Sequence, residues 1–166
     1  MWIYPFIGIS LIYLSEIGGY FWHRIFAHQD IIPMVRESHR IHHTDIDDKA
    51  HEDFIYVCFF LFVYFWALLY LWYKTYINLA LFLVLYFGVF LPFVWSWYIH
   101  SAYHIEAHWL NGYSWFRRDK RIHMQHHADP KTNYGIATHF TDEIMGTLDY
   151  AFPISSLDDC IENIYR

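Results

Sequence analysis

Charge is scarce in this chain. Only 17% of its 166 residues are Asp, Glu, Lys or Arg, against about one quarter in an average soluble domain. The net charge is -6 and no long basic block occurs, which argues against nucleic acid as a partner. Cysteine is almost absent. Cys58 sits in an apolar run and Cys160 in a polar tail beyond the last expected span, so neither a disulfide framework nor a CxxC metal pair can be drawn. A basic N-terminal start and a small-residue cleavage site are both missing, which argues against a signal peptide. No linker or low-complexity segment divides the sequence, and residues 1–166 read as a single domain.

What the chain has in excess is apolar and aromatic surface, at 56% hydrophobic and 23% aromatic residues. Trp and Tyr gather at membrane interfaces. Residues 54–73 carry no charge, and twenty helical residues cover about 30 Å, one hydrocarbon thickness. Residues 77–99 are likewise uncharged, with Pro92 expected to kink them. Lys74-Thr75-Tyr76 leaves room only for a tight hairpin between the two. Residues 1–22 read as a third span, interrupted by Ser15, Glu16, Gly18 and Gly19. Glu16 is either a functional ionisable group in the membrane or an interfacial carboxylate reaching water. Three spans place segments 23–53 and 100–166 on one side, with ten of the eleven Lys and Arg. The positive-inside rule makes that side cytosolic. The fold class is therefore an all-α integral membrane helical bundle of about three spans with a cytosolic helical cap.

Histidine is the outlier, at 13 residues, and every one falls on the cap side. Ten form four boxes: His23 and His28; His39, His42 and His43; His100 and His104; His123, His126 and His127. A spaced pair followed by His-x-x-His-His thus occurs at 23–43 and again at 100–127, each time just after a span. Positions i, i+3 and i+4 share a helical face, so each triad is expected to converge on one spot. His23 and His28 are five apart, about 140° around a regular helix; either they serve different ions or the helix ends between them. One His-x-x-His-His arises by chance in roughly a tenth of chains this rich in histidine, but two in this setting in well under about one per cent. Neutral imidazole suits Fe, Zn, Cu and Ni, and ten rings are too many for one ion. Two ions are expected. Carboxylates available to orient the rings are Asp45, Asp47, Asp48, Glu106, Asp129 and Asp142. His51, His108 and His139 read as surface or supporting residues, with His108 the closest to a ligand position because it lies one turn beyond His104.

The boxes and their order resemble the fatty acid hydroxylase and sterol desaturase superfamily of membrane di-metal enzymes. Glu16-x-x-x-Tyr20-x-x-His23-Arg24 resembles the lead-in to that family's first box. Asn133-Tyr134-Gly135-Ile136-Ala137-Thr138, followed by Asp142 and Gly146-Thr147, resembles its C-terminal signature. The resemblance implies a cytosol-facing di-iron site held by the ten box histidines. It implies use of O2 and two electrons to hydroxylate or desaturate a lipid such as a fatty acyl chain or sterol. The membrane would be the endoplasmic reticulum in a eukaryote. No fused cytochrome b5-type domain is visible, so a separate cytochrome b5 or reductase-like electron donor is expected. Relatives commonly have four spans, so a helix is either missing or supplied by a partner subunit in an oligomer. Thr141 stands before Asp142 where relatives often carry an aromatic residue. The compact length is similar to carotenoid hydroxylases, but the His100–His104 spacing and Gly146-Thr147 fit the fatty acid and sterol branch better.

The alternative is a non-catalytic metal protein that transports, senses or stores zinc or iron. A transporter needs polar ligands near the bilayer midplane. The two long spans offer almost none, only Thr75 and Asn78 in the connection and Ser96 near one end. Imidazole counts alone do not separate iron from zinc.

Overall fold

The computed structural model describes residues 3–44 and 51–150. Asp45, Asp47, Asp48, Cys160 and the tail 151–166 lie outside the described residues, as does the side chain of His51. The described chain is helical, without strands: α1 (Ile3–Phe21), a π-helical turn (Trp22–Ala27), α2 (Pro33–Thr44), α3 (His51–Tyr73), α4 (Leu79–Tyr103), a 3-10 turn (Trp109–Gly112), α5 (Ser114–Ala128) and α6 (Phe140–Met145).

α3 and α4 are long and apolar enough to cross a membrane. α4 continues through Pro92 and ends four residues later than the sequence pattern implies, so His100 lies on its last turn. α1, where a third span is expected from the sequence, is a helix of 19 residues interrupted by Ser15 and Glu16; among the described helices only α3 and α4 meet both the length and the apolarity of a span. α1 runs parallel to α4. At one end Asn78 Nδ2 donates to Tyr4 Oη (2.9 Å). Further along, Gly8 faces Val84 and Gly88 faces Leu11, where a Cβ on Gly88 would come within 2.8 Å of Leu11 Cδ1. Small residues permit such close helix approach within a bilayer. At the other end Thr138 Oγ1 donates to Glu16 Oε2 (3.0 Å). Glu16 is thus a tie between α1 and the cap.

The cap has its own core of Ile99, Ala102, Tyr103, Leu110, Phe116 and Met124. These residues seat α5 across the end of α4. Tyr103 Oη also donates to the Ile136 carbonyl (3.2 Å), fixing the loop after α5.

The α3–α4 hairpin is closed at both sides. Asn78 caps α4, its Oδ1 accepting from Leu81 N (2.9 Å), as a good N-cap residue does. α3 ends with Tyr76 N on Leu71 O (3.0 Å) and Thr75 N on Trp72 O (2.9 Å), a Schellman arrangement that calls for a left-handed residue. Thr75 fills it at φ 61°. A β-branched side chain there is strained by about 1–2 kcal/mol. Replacing Thr75 with Gly is expected to stabilise the purified protein by about 1 kcal/mol, read as a higher midpoint in denaturant titration.

Candidate metal centre

All ten box histidines meet in one place, in two groups of five. His23, His28, His39, His43 and His126 form the first; His42, His100, His104, His123 and His127 form the second. Within each group one nitrogen from each ring lies within 4.8 Å of the others. The two triads do not each converge on one spot, as their spacing suggests. At about 100° per residue, i and i+4 are offset by about 40°, whereas i+3 falls about 60° to the other side. So His39 and His43 point into the first group while His42 points into the second. His123 and His127 point into the second group while His126 crosses to the first.

The pair His23 and His28 is brought together by the π-helical turn Trp22–Ala27. Hydrogen bonding from i to i+5 stacks residues five apart, and such turns often sit at functional sites. Their Nε2 atoms lie 3.3 Å apart. The two rings serve one group, and the helix does end between them: the widened π-helical turn stops at Ala27 and His28 is its C-cap. His100 and His104, one ordinary turn apart, need no such device.

The tautomers are fixed by backbone. His23 Nδ1 donates to the Tyr134 carbonyl (2.6 Å) and His126 Nδ1 to the Thr132 carbonyl (2.6 Å). A carbonyl cannot donate, so these Nδ1 atoms carry the proton and each Nε2 presents a bare lone pair. His28 Nε2 nevertheless lies 3.0 Å from His126 Nε2. His39 Nε2 lies 3.0 Å from His23, 3.1 Å from His28 and 3.0 Å from His43. One ring proton cannot satisfy three such neighbours. In the second group the corresponding Nε2 separations are 3.0 Å for His104–His123, 3.1 Å for His127–His123 and 3.1 Å for His42–His100. Lone pairs facing each other at this range call for a cation between them. With metal–nitrogen bonds of about 2.1 Å, neighbours at right angles sit about 3.0 Å apart and tetrahedral neighbours about 3.4 Å. The donor set therefore fits ions with more than four neighbours.

Burial keeps the rings neutral. His23 and His43 are pushed down to about 3, first by desolvation and then by the other imidazoles. His104 is pushed down to about 3 and His28 to about 4 for the same leading reason. Neutral imidazole is the form that ligates.

The acceptors for His23 and His126 are carbonyls, not the carboxylates anticipated from the sequence. Asp142 acts one layer further out. It is fully buried, and its oxygens accept from Tyr134 N (2.8 Å), Gly135 N (2.6 Å) and Thr147 Oγ1 (2.8 Å). Burial alone would raise its pKa, but these bonds and nearby His139 hold it below the usual carboxylate range. Gly146 (φ 66°) ends α6 and sets Thr147 beside that carboxylate. Arg24 Nη1 donates to Tyr20 Oη (2.8 Å), which in turn donates to Thr147 Oγ1 (3.0 Å). Buried Asn133, at φ 56°, ties the loop to Asp149 through its side chain. The C-terminal signature segment and the first-box lead-in are thus one clasp, whose product is two correctly aimed carbonyls.

His108 lies outside both groups; its Nδ1 accepts from Leu110 N (3.3 Å) at the start of the 3-10 turn. Buried His139 lies 3.8 Å from both Asp119 and Asp142, an electrostatic neighbour and not a member of either group. Among the available acids, Glu106 and Asp129 belong to neither group.

The family model described as fatty acid hydroxylase matches residues 8–147. No curated protein and no solved structure matches the chain.

Two outcomes follow from the clasp and the buried rings. A Cβ on Gly135 would collide with the Thr138 carbonyl and come within 2.6 Å of Asp142 Oδ2. Gly135→Ala should therefore cost about 1–3 kcal/mol, visible as a lost or broadened monodisperse peak in detergent chromatography. For pH, the unfolded rings titrate near 6.5 while the folded ones resist protons down to about 3 or 4. The unfolded state alone gains protons in that window, so stability falls as pH drops below about 6.5. Thermal melting of chelator-treated protein should show a lower midpoint at pH 5 than at pH 8; equal midpoints would contradict the burial argument.

Proposed function

The chain belongs to the fatty acid hydroxylase family, and we propose that it is a membrane-bound di-iron oxidoreductase that uses O2 to hydroxylate or desaturate a lipid, such as a fatty acyl chain or sterol. The observation that carries this reading is the pairing of two five-imidazole groups in a chain with two membrane-length helices, one of which ends in His100 and His104. The five histidines of each group would hold one ion. Bound there, the ions would supply the O2 activation and electron transfer needed to oxidise an unactivated C–H bond, which side chains cannot provide.

The chain's own contribution is positioning. His23 and His126 are held by carbonyls, and the buried rings of His23, His39, His42, His123 and His126 form the floor of the centre. His28, His43, His100, His104 and His127 are partly exposed and mark the side from which O2 and substrate arrive. Right-angle nitrogen spacing supports iron over a tetrahedral zinc site. An apolar substrate dissolved in the bilayer reaches a centre at the span ends without leaving the membrane. The excess of Lys and Arg on the histidine side supports a cytosolic orientation, where a separate cytochrome b5 or reductase-like donor delivers the electrons. The location of the rings at the span ends also argues against a transport pathway, which places ligands near mid-membrane.

The test is comparative lipid mass spectrometry of cells expressing the wild-type chain, His42→Ala or His126→Ala. The wild type should yield an oxygenated or desaturated lipid and each variant should lose it. Folded variants with an unchanged lipid profile would refute the enzyme reading.

A further inference from the structure

The hydrogen bonds to Asp142 and His23 fall on the two ends of one peptide unit. Gly135 N–H donates to Asp142 Oδ2 (2.6 Å), and the Tyr134 carbonyl of the same unit accepts from His23 Nδ1 (2.6 Å). We propose that Asp142 is a positioning residue that strengthens the first group's hold on its ion by passing carboxylate charge through the Tyr134–Gly135 peptide to His23. A histidine ligand commonly gives its second N–H to a carboxylate directly, which raises the ring's basicity. Here a peptide stands between the two, and an amide polarised at its N–H is a better acceptor at its carbonyl. All the partners are buried: Asp142 is 0% exposed, Tyr134 8% and His23 3%. Little water is present to screen the effect.

The device is one-sided. His126, in the same group, leans on the Thr132 carbonyl, whose peptide partner Asn133 N–H donates to the neutral Thr147 carbonyl (2.9 Å). In the second group, Nδ1 of His104 and of His123 is buried without a hydrogen-bond partner among the described residues. His23 is thus joined through one peptide to a buried anion, whereas His126, His104 and His123 are not. Two groups that match in ligand number therefore differ in donor strength, and the first is expected to keep its ion more tightly.

This inference rests on the reading that each group holds one ion. The experiment is equilibration of the full-length, iron-loaded protein in detergent against graded chelator, with metal content measured by mass spectrometry. Wild type should release two ions in two steps. Asp142→Asn, neutral and of equal size, should release the tighter ion at roughly 10–100-fold weaker chelation and shift its midpoint potential positive. Thr147→Val removes one hydrogen bond to the carboxylate but keeps the charge, and should leave both readouts near wild type. A separate check does not depend on Asp142→Asn folding: His28→Ala should weaken the tighter step and His104→Ala the looser one. Unchanged release from Asp142→Asn, equal losses in Asp142→Asn and Thr147→Val, or assignment of the tighter step to His104 would each overturn the inference while leaving the enzyme reading intact. A wild-type protein that binds no metal would overturn both.

Discussion

The structure depends on holding ten neutral imidazoles with their lone pairs turned toward one another. Nitrogens 3.0–3.3 Å apart with too few protons between them repel. Desolvation of the cluster also lowers the rings' affinity for protons. The fold supplies the opposing restraint, through the parallel packing of α1 on α4, the cap core and the clasp around Asp142. Ions bound between the rings would relieve the repulsion, which would make ion binding and cap stability one free-energy problem.

The two groups follow one rule. Each takes a spaced pair and the i, i+4 pair of the following helix from one half of the chain, and the i+3 histidine from the other half. His42 and His126 are thereby exchanged. α2 and α5 meet through rings, with His43 and His127 stacked at 4.3 Å and His42 4.8 Å from His127. Neither group is complete within one half. The exchange makes the two halves interdependent in a way that simple convergence of each triad would not.

Much of this was legible in the sequence, because its signals are local. Uncharged runs marked α3 and α4, box spacing marked the ligand candidates, and the motif order marked the family. What was not legible depends on contacts distant in the chain. The split of each triad follows from helix angles only once the position of the opposing helix is known. The π-helical turn has no sequence signature that separates it from an ordinary helix end; only the awkward five-residue spacing of His23 and His28 hinted at it. The carbonyls of Thr132 and Tyr134 have no side-chain identity to read. Asp142 was visible as a motif residue, but its place behind a peptide was not.

The arrangement of the three long helices has a physical account in the same repeat. α1 and α4 are parallel, in a register where Leu11 meets Gly88. The same offset brings His23 level with His100. For two parallel helices of one chain to end on the same side, the chain must return once between them, and α3 is that return. Three long helices are thus the fewest that can present two equivalent halves at one surface. Among the described residues α3 adds none to either group, and its ties to α4 include Tyr64 Oη donating to the Leu85 carbonyl (2.9 Å). The metal centre requires the repeat and its return, and this chain has both.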